Sequence, residues 1–401
     1  MIKKQINTLK DFYSLMFLTR DIRMKLVKDY IKSFYIDKNL IDELKIALKM
    51  LEMLPRQTDG RYRLQLVKDK YIFLDLYYEI NELKKDIFFL THDEKDFLAF
   101  LSSMHHGFTQ QLTKGKDFLS KIKIKTFVTD RDGTINNYCG RYLSSIQSVY
   151  NAVFLSRFAM NSVDNAIILT SAPLDNIGLK DVSIMPEGIF IYAGSKGREY
   201  FDKKLIRHVF PIEKEKQQML AKLNERLKLL VRQPEYEIFS LIGSGLQFKF
   251  GQTTIARQDI SGTIPENDSL KFLNIIKHIV SEIDPEGIFF RIEDTGKDIE
   301  IILTIDNNQQ NQGLKDFDKG DGIVFLDMDL GLNMSDGITL VCGDTLSDFP
   351  MIEVAINRSG ATRAIFVTED VFLKEKIISL LGEKNVFFVN QSDILISILN
   401  E

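Results

Sequence analysis

Apolar residues recur three and four positions apart through the first third of the chain. Leu9, Phe12, Met16, Ile22, Leu26 and Tyr30 form one run, and Ile41, Leu44, Ala47 and Leu51 form a second. Leu64, Val67, Ile72, Leu76 and Ile80 resume the pattern after a break between Pro55 and Gly60. This is the spacing of a buried helical face. Asp93 or Thr91 stands where it would cap a further helix through Phe97, Phe100 and Leu101. Before residue 116 the only breakers are Pro55, Gly60, Gly107 and Gly115. Residues 1–120 therefore read as an all-helical module of three or four antiparallel helices, a bundle or coiled hairpin. His92, His105 and His106 have no acidic or thiol partner at ligand spacing and read as surface residues. With no catalytic cluster of its own, the module is expected to serve a protein partner or self-association.

From Lys121 the pattern changes to strand and helix in alternation. Buried strands are expected at 124–129, 165–171, 188–193, 338–342, 364–367 and 386–389, with a helix over about 144–158. Residues 121–204 and 314–401 thus read as a parallel-sheet α/β core. Residues 205–313 interrupt it. They read as helix (213–231), strand (237–242), strand (246–250), helix (268–283) and strands at 288–292 and 299–304, with a further short strand at 253–257. Two helix–strand–strand units predict a small antiparallel sheet with helices on one face, an α+β insert of the αββαββ kind. The polar run Asn307–Gln312 reads as a hinge back into the core.

Composition narrows the function. The 401 residues are too many for one ordinary core, and 44% hydrophobic with 27% charged is a soluble globular balance. A net charge of −4 without a basic block gives no footing for nucleic acid. No apolar run approaches the roughly 18 residues of a membrane span, and the start has no apolar leader. Cys139 and Cys342 are too few for a disulfide framework, so the cytosol is the expected address.

The candidate chemistry begins where the first strand ends, at Asp130-Arg131-Asp132-Gly133-Thr134. Two carboxylates at the carboxyl edge of a parallel sheet repel each other unless a cation offsets them, so the pair predicts a hard divalent metal. Asp-Gly and Gly-Thr are also ordinary turn chemistry, so the motifs downstream and their order decide between the two readings. The second strand ends in Thr170, with Ser171 as its alternative after a one-residue slip. A loop, Asp318-Lys319-Gly320-Asp321-Gly322, presents one lysine ahead of a helix. A late strand runs into Gly343-Asp344-Thr345-Leu346-Ser347-Asp348, two acids at i, i+4. Gly194–Glu199 could touch ligand or merely turn the chain, and the second reading is favoured.

Taken together these motifs resemble those of the haloacid dehalogenase-type (HAD) phosphatases. With the Gly194–Glu199 turn, Leu241-Ile242-Gly243-Ser244-Gly245 and the run Gly343–Met351, the chain looks like a trehalose-6-phosphate phosphatase of the roundworm form, which also carries an amino-terminal helical domain. The resemblance implies a Rossmann-like core with residues 205–313 as a cap. It implies Asp130 as nucleophile, Asp132 as general acid and base, and Thr170 and Lys319 holding phosphoryl oxygens, with Gly133 and Ser171 beside the substrate. Mg²⁺ would be bound by Asp130, the Asp132 carbonyl and Asp344, with Asp348 as an outer or alternative ligand. Lys249 and Glu300 are the nearest matches to the family's sugar-binding lysine and glutamate, although alternation alone would set both on a solvated sheet face. The activity implied is Mg²⁺-dependent hydrolysis of trehalose 6-phosphate. The alternatives are another sugar phosphate, or a non-catalytic interaction protein on the same core.

Overall fold

The computed structural model of the chain describes residues 5–33, 36–67, 70–120, 122–304 and 317–400; the Asn307–Gln312 run and the carboxyl end of the insert at 313 lie outside them. The amino-terminal region holds α1 (Leu9–Ser33), α2 (Lys38–Glu52), the strands β1 (Tyr62–Val67) and β2 (Lys70–Leu74), then α3 (Tyr77–Thr91), α4 (Glu94–Met104) and α5 (Phe108–Leu119). Asp93 caps α4 by accepting from the Asp96 N–H. The hairpin corrects the all-helical expectation. Leu64, Leu66, Ile72 and Leu74 are buried, a period of two along each strand, and β1 pairs antiparallel with β2. That alternation outweighs the looser four-residue spacing of Ile72, Leu76 and Ile80.

The core is β3 (Ile124–Thr129), α6 (Val149–Asn161), β4 (Val163–Leu169), α7 (Leu179–Val182), β5 (Ile191–Gly194), β6 (Glu199–Phe201) and β7 (Arg207–Val209). It resumes after the insert with α10 (Lys319–Leu330), β12 (Ile338–Gly343), α11 (Phe349–Arg358), β13 (Ala361–Val367), α12 (Val371–Leu381), β14 (Val386–Val389) and α13 (Ser392–Leu399). The insert between them contains α8 (Lys214–Leu230), β8 (Leu246–Lys249), β9 (Gln252–Ala256), α9 (Glu266–Ile283), β10 (Phe290–Asp294) and β11 (Asp298–Leu303). The core strands form one eight-stranded sheet in the order β14-β13-β12-β3-β4-β5-β6-β7, parallel from β14 to β5 and antiparallel at the β5–β6–β7 end. Phe127 and Val128 are fully buried because helices cover both faces, as a parallel sheet requires.

The insert is the expected αββαββ unit, with sheet order β10-β11-β9-β8. Its first expected strand, 237–242, is instead a short 3₁₀ helix (Glu237–Ser240). There Phe239 stacks on Phe272 of α9 with ring centroids 3.6 Å apart, so the apolar side chains serve helix packing and the short strand at 252–256 takes the vacant place in the sheet.

The helical region packs directly onto the core. Phe97 of α4 meets Tyr150 of α6 at 4.8 Å and Phe89 of α3 meets Phe154 at 5.7 Å. Arg23 of α1 and Asp86 of α3 form a buried pair at 2.5 Å, and Asp86 also accepts from the Val149 N–H at the start of α6. His105, expected at the surface, is partly buried with its Nε2 2.6 Å from Asp393 of α13. Asp393 also pairs with Lys85 at 3.0 Å. Partners 288 and 308 residues away have no local signature. Among the described residues no helix is long and apolar enough to cross a membrane.

Candidate active site

Three neighbouring parallel strands place their carboxyl ends side by side. Thr129 of β3 lies opposite Cys342 of β12 and Ile168 of β4, so Asp130, Asp344 and Thr170 follow one or two residues later on the same sheet edge. Lys319 enters from the first position of α10. A cation at a helix amino terminus opposes the helix dipole. Asp318 and Asp321 offset this with a reciprocal capping box, and the ammonium itself lies 2.5 Å from Asp130 Oδ1 and 2.5 Å from Asp348 Oδ1.

Asp348 is fully buried. Its Oδ2 accepts from the backbone N–H groups of Asp344 and Thr345 at 3.0 and 3.1 Å, and its Oδ1 takes Lys319. Both oxygens are thus engaged in holding the lysine and the turn that carries Asp344. Thr134 Oγ1 donates to Asp344 Oδ1 at 3.1 Å. Gly133 has φ +89°, and a Cβ there would fall on the Asp344 carboxylate, so only glycine lets the two turns meet.

Carboxylate oxygens of Asp130, Asp344 and Asp348 lie within 4.8 Å of one another. These three acids, Asp344 half-buried and the other two buried, share one lysine, and titration reflects the excess. Burial, with Asp348 adding repulsion against the opposing pull of Lys319, raises Asp130 to about 7. Burial and repulsion from Asp130 and Asp348 raise Asp344 to about 8. Asp348 is lowered: burial opposes ionisation, but Lys319 and the two backbone donors outweigh it. The donor set, all hard oxygens carrying surplus negative charge, fits a divalent cation of the Mg²⁺ or Ca²⁺ type.

These residues open into a cavity of about 330 Å³ whose walls include Asp130, Asp132, Thr170, Ser171, Lys319 and Asp344. The opposite wall is the insert's sheet. Gln247, Lys249, Thr254, Asp298 and Glu300 line it, while Ile255, Ile299 and Ile301 on the alternate positions are buried on the other face. Strand alternation thus turns a polar face toward the core. The expectation of a solvated face does not hold for Lys249, which is only 8% exposed and whose ammonium is pushed down by burial, with Glu300 acting in the other direction.

Gln247, Thr254 and Asp298 were not singled out by sequence. The signal that would have found them is the period of two around Lys249 and Glu300, once both are set facing the core. Asp298 is raised by burial; its Oδ2 accepts from Ser244 at 3.2 Å, and its Oδ1 is buried without a hydrogen-bond partner among the described residues. Tyr138, Cys139, Gly140 and Tyr142, from the segment after the first motif, also line the cavity. The Gly194–Glu199 turn packs on the core: Gly197, at φ +91°, lies against Gly322 of α10 with no room for a Cβ on either.

A family model for the carboxy-terminal region of trehalose-6-phosphate phosphatase matches residues 127–395, and one for its amino-terminal helical bundle domain matches residues 8–107. The curated relatives carry two names, trehalose-phosphate synthase and trehalose-phosphatase. A Caenorhabditis elegans alpha,alpha-trehalose-phosphate synthase [UDP-forming] 2 is 31% identical over 98% of this chain and 33% of its own length. A Brugia malayi trehalose-phosphatase is 27% identical over 97% of this chain and 85% of its own. The chain spans about a third of the length of the synthases it matches. Among solved structures, the carboxy-terminal domain of a C. albicans trehalose-6-phosphate phosphatase aligns over 72% of this chain and 94% of that one, at 12% identity and a TM-score of 0.44, too distant to carry an argument. On the family models, which together take in nearly all of the sequence, the chain belongs to the trehalose-6-phosphate phosphatase family.

Proposed function

We propose that the protein hydrolyses trehalose 6-phosphate to trehalose and phosphate through an aspartyl-phosphate, with Mg²⁺ as cofactor. The observation that carries this reading is the meeting of Asp130, Asp132, Thr170, Lys319 and Asp344, from four separated segments, in one cavity faced by a polar wall. A carboxylate oxygen of Asp130 attacks phosphorus as the bond to the sugar oxygen breaks, and Asp132 gives that oxygen its proton. Asp132 then takes a proton from water as the water oxygen attacks phosphorus, the bond to Asp130 breaks, and the carboxylate is regenerated. Lys319 and the Thr170 hydroxyl hold phosphoryl oxygens. Asp130 and Asp344, with the Asp132 carbonyl, would hold the Mg²⁺, which would supply positive charge against the carboxylates and the phosphate together.

The insert acts as the cap. Lys249, Glu300, Gln247 and Thr254 offer the charged and amide or hydroxyl groups that suit sugar hydroxyls, and the unpaired Asp298 Oδ1 is a buried acceptor in want of a donor. Lys249→Ala and Glu300→Ala are therefore expected to lower kcat/KM for trehalose 6-phosphate at least about tenfold more than for p-nitrophenyl phosphate. Equal losses on the two substrates would remove the cap assignment. The buried free thiols Cys139 and Cys342 are in keeping with a cytosolic address.

Metal binding links to pH. Asp130 and Asp344 have higher pKa values folded than the usual ~3.9 of a free aspartate, so the folded state binds more protons. Their contribution to the stability of the metal-free protein is greatest at low pH and is lost as pH rises through about 7 and 8. Mg²⁺ replaces those protons. Scanning calorimetry at about pH 6 and about pH 8.5 should show a larger Mg²⁺-induced rise in Tm at the higher pH. A rise independent of pH would mean that the cation binds elsewhere.

A further inference from the structure

Asp132 is held by a chain of bonds that begins in the core and ends in the amino-terminal helices. Its Oδ1 accepts from Arg131 Nη1 and from Ser145 Oγ, the latter at 3.2 Å. Ser145 Oγ in turn accepts from Arg131 Nη1 at 3.0 Å and from Asn136 Nδ2 at 3.2 Å, which leaves its own proton for Asp132. The two protons of the same Asn136 Nδ2 are shared among Ser145 Oγ, the neighbouring Asn137 carbonyl at 3.0 Å and the Tyr78 hydroxyl at 3.0 Å. Tyr78, near the start of α3, lies 2.8 Å from the Ile146 carbonyl and 3.1 Å from Asn136 Oδ1; giving its one proton to the nearer oxygen, Ile146 O, leaves it to accept from the Asn136 amide. Burial keeps the phenol protonated. Tyr78, Asn136, Ser145 and Arg131 are all less than a tenth exposed, so the bonds among them lie in a largely desolvated environment.

The same helix holds the rest of this segment. Glu79 accepts from Arg141 Nη2 at 2.8 Å and from Ser144 Oγ at 2.5 Å, and Glu82 accepts from Asn137 Nδ2 at 3.1 Å. Residues 136–145 supply Tyr138, Cys139, Gly140 and Tyr142 to the cavity wall. The amino-terminal region is therefore built into the site it adjoins.

We propose that Tyr78 is a positioning residue for proton transfer: through Asn136 and Ser145 the helical region fixes the rotamer of Asp132. This rests on the assignment of Asp132 as the general acid proposed above. The leaving group separates a positioning role from a structural one. A sugar oxygen needs a proton as it departs, whereas p-nitrophenolate leaves nearly unaided.

The test measures kcat/KM, which reports steps up to formation of the phospho-enzyme, for Tyr78→Phe and Ser145→Ala in the full chain. For trehalose 6-phosphate we expect a fall of about tenfold, and for p-nitrophenyl phosphate a change within about twofold. The Tyr78→Phe/Ser145→Ala double variant should lose no more than Ser145→Ala alone, since both act along one chain of bonds. Equal losses on both substrates, or none in either variant, would overturn the proposal. A wild-type protein inactive on trehalose 6-phosphate contradicts the proposed function instead; the same split is then read between p-nitrophenyl phosphate and an alkyl phosphate that is hydrolysed.

Discussion

Asp130→Asn is expected to lower phosphate release by on the order of 10⁴-fold, because an amide cannot form the aspartyl-phosphate. The fold should survive. Asp130 is a buried acid raised to about 7 by its surroundings, so the neutral amide removes repulsion from Asp344 and Asp348 while Lys319 keeps its contact with Asp348. Calorimetry of the metal-free variant at about pH 8.5 should give a Tm equal to or above that of the wild type, and a smaller response to Mg²⁺. An Asp130→Asn protein that still turns over substrate at more than a few per cent of the wild-type rate would refute the nucleophile.

Lys319→Met should damage both activity and stability. The side chain is 3% exposed and bridges two acids, so its loss leaves Asp130, Asp344 and Asp348 crowded together with no cation among them. Removing one partner of a buried pair costs about 3–5 kcal/mol, and losing a donor to the transferring phosphoryl group costs on the order of 10²–10³ in kcat. The stability loss should be greater at about pH 8.5 than at about pH 6, where the acids regain protons, and Mg²⁺ should restore part of it. A variant whose Tm is unchanged at both pH values would show that the lysine is not the counter-charge of this cluster.

The centre of the site was legible because each piece is a local event at a strand or helix end. Asp130, Thr170 and Asp344 each follow a short β-rich run, and parallel neighbours deliver such ends to one edge. Lys319 announced itself by standing between Asp318 and Gly320 ahead of an apolar helix. What stayed hidden depends on contacts between distant segments. His105 meets Asp393 only because α13 lies against the amino-terminal helices, and Tyr78 meets Asn136 only because α3 lies over the loop after the first motif. The hairpin at residues 62–74 was hidden for a different reason. Its alternation is two short runs, and apolar residues on either side extend them into an apparent helical face. Lys249 and Glu300 were visible as residues but not as a buried face, since a period of two does not say which side the core will cover.

Phosphate release from a panel of sugar phosphates, with Mg²⁺ and with EDTA, tests the central claim most directly. The account predicts that trehalose 6-phosphate is hydrolysed with the highest kcat/KM of the panel and that EDTA abolishes the reaction. No release from trehalose 6-phosphate in Mg²⁺, or release that EDTA leaves unchanged, would contradict it.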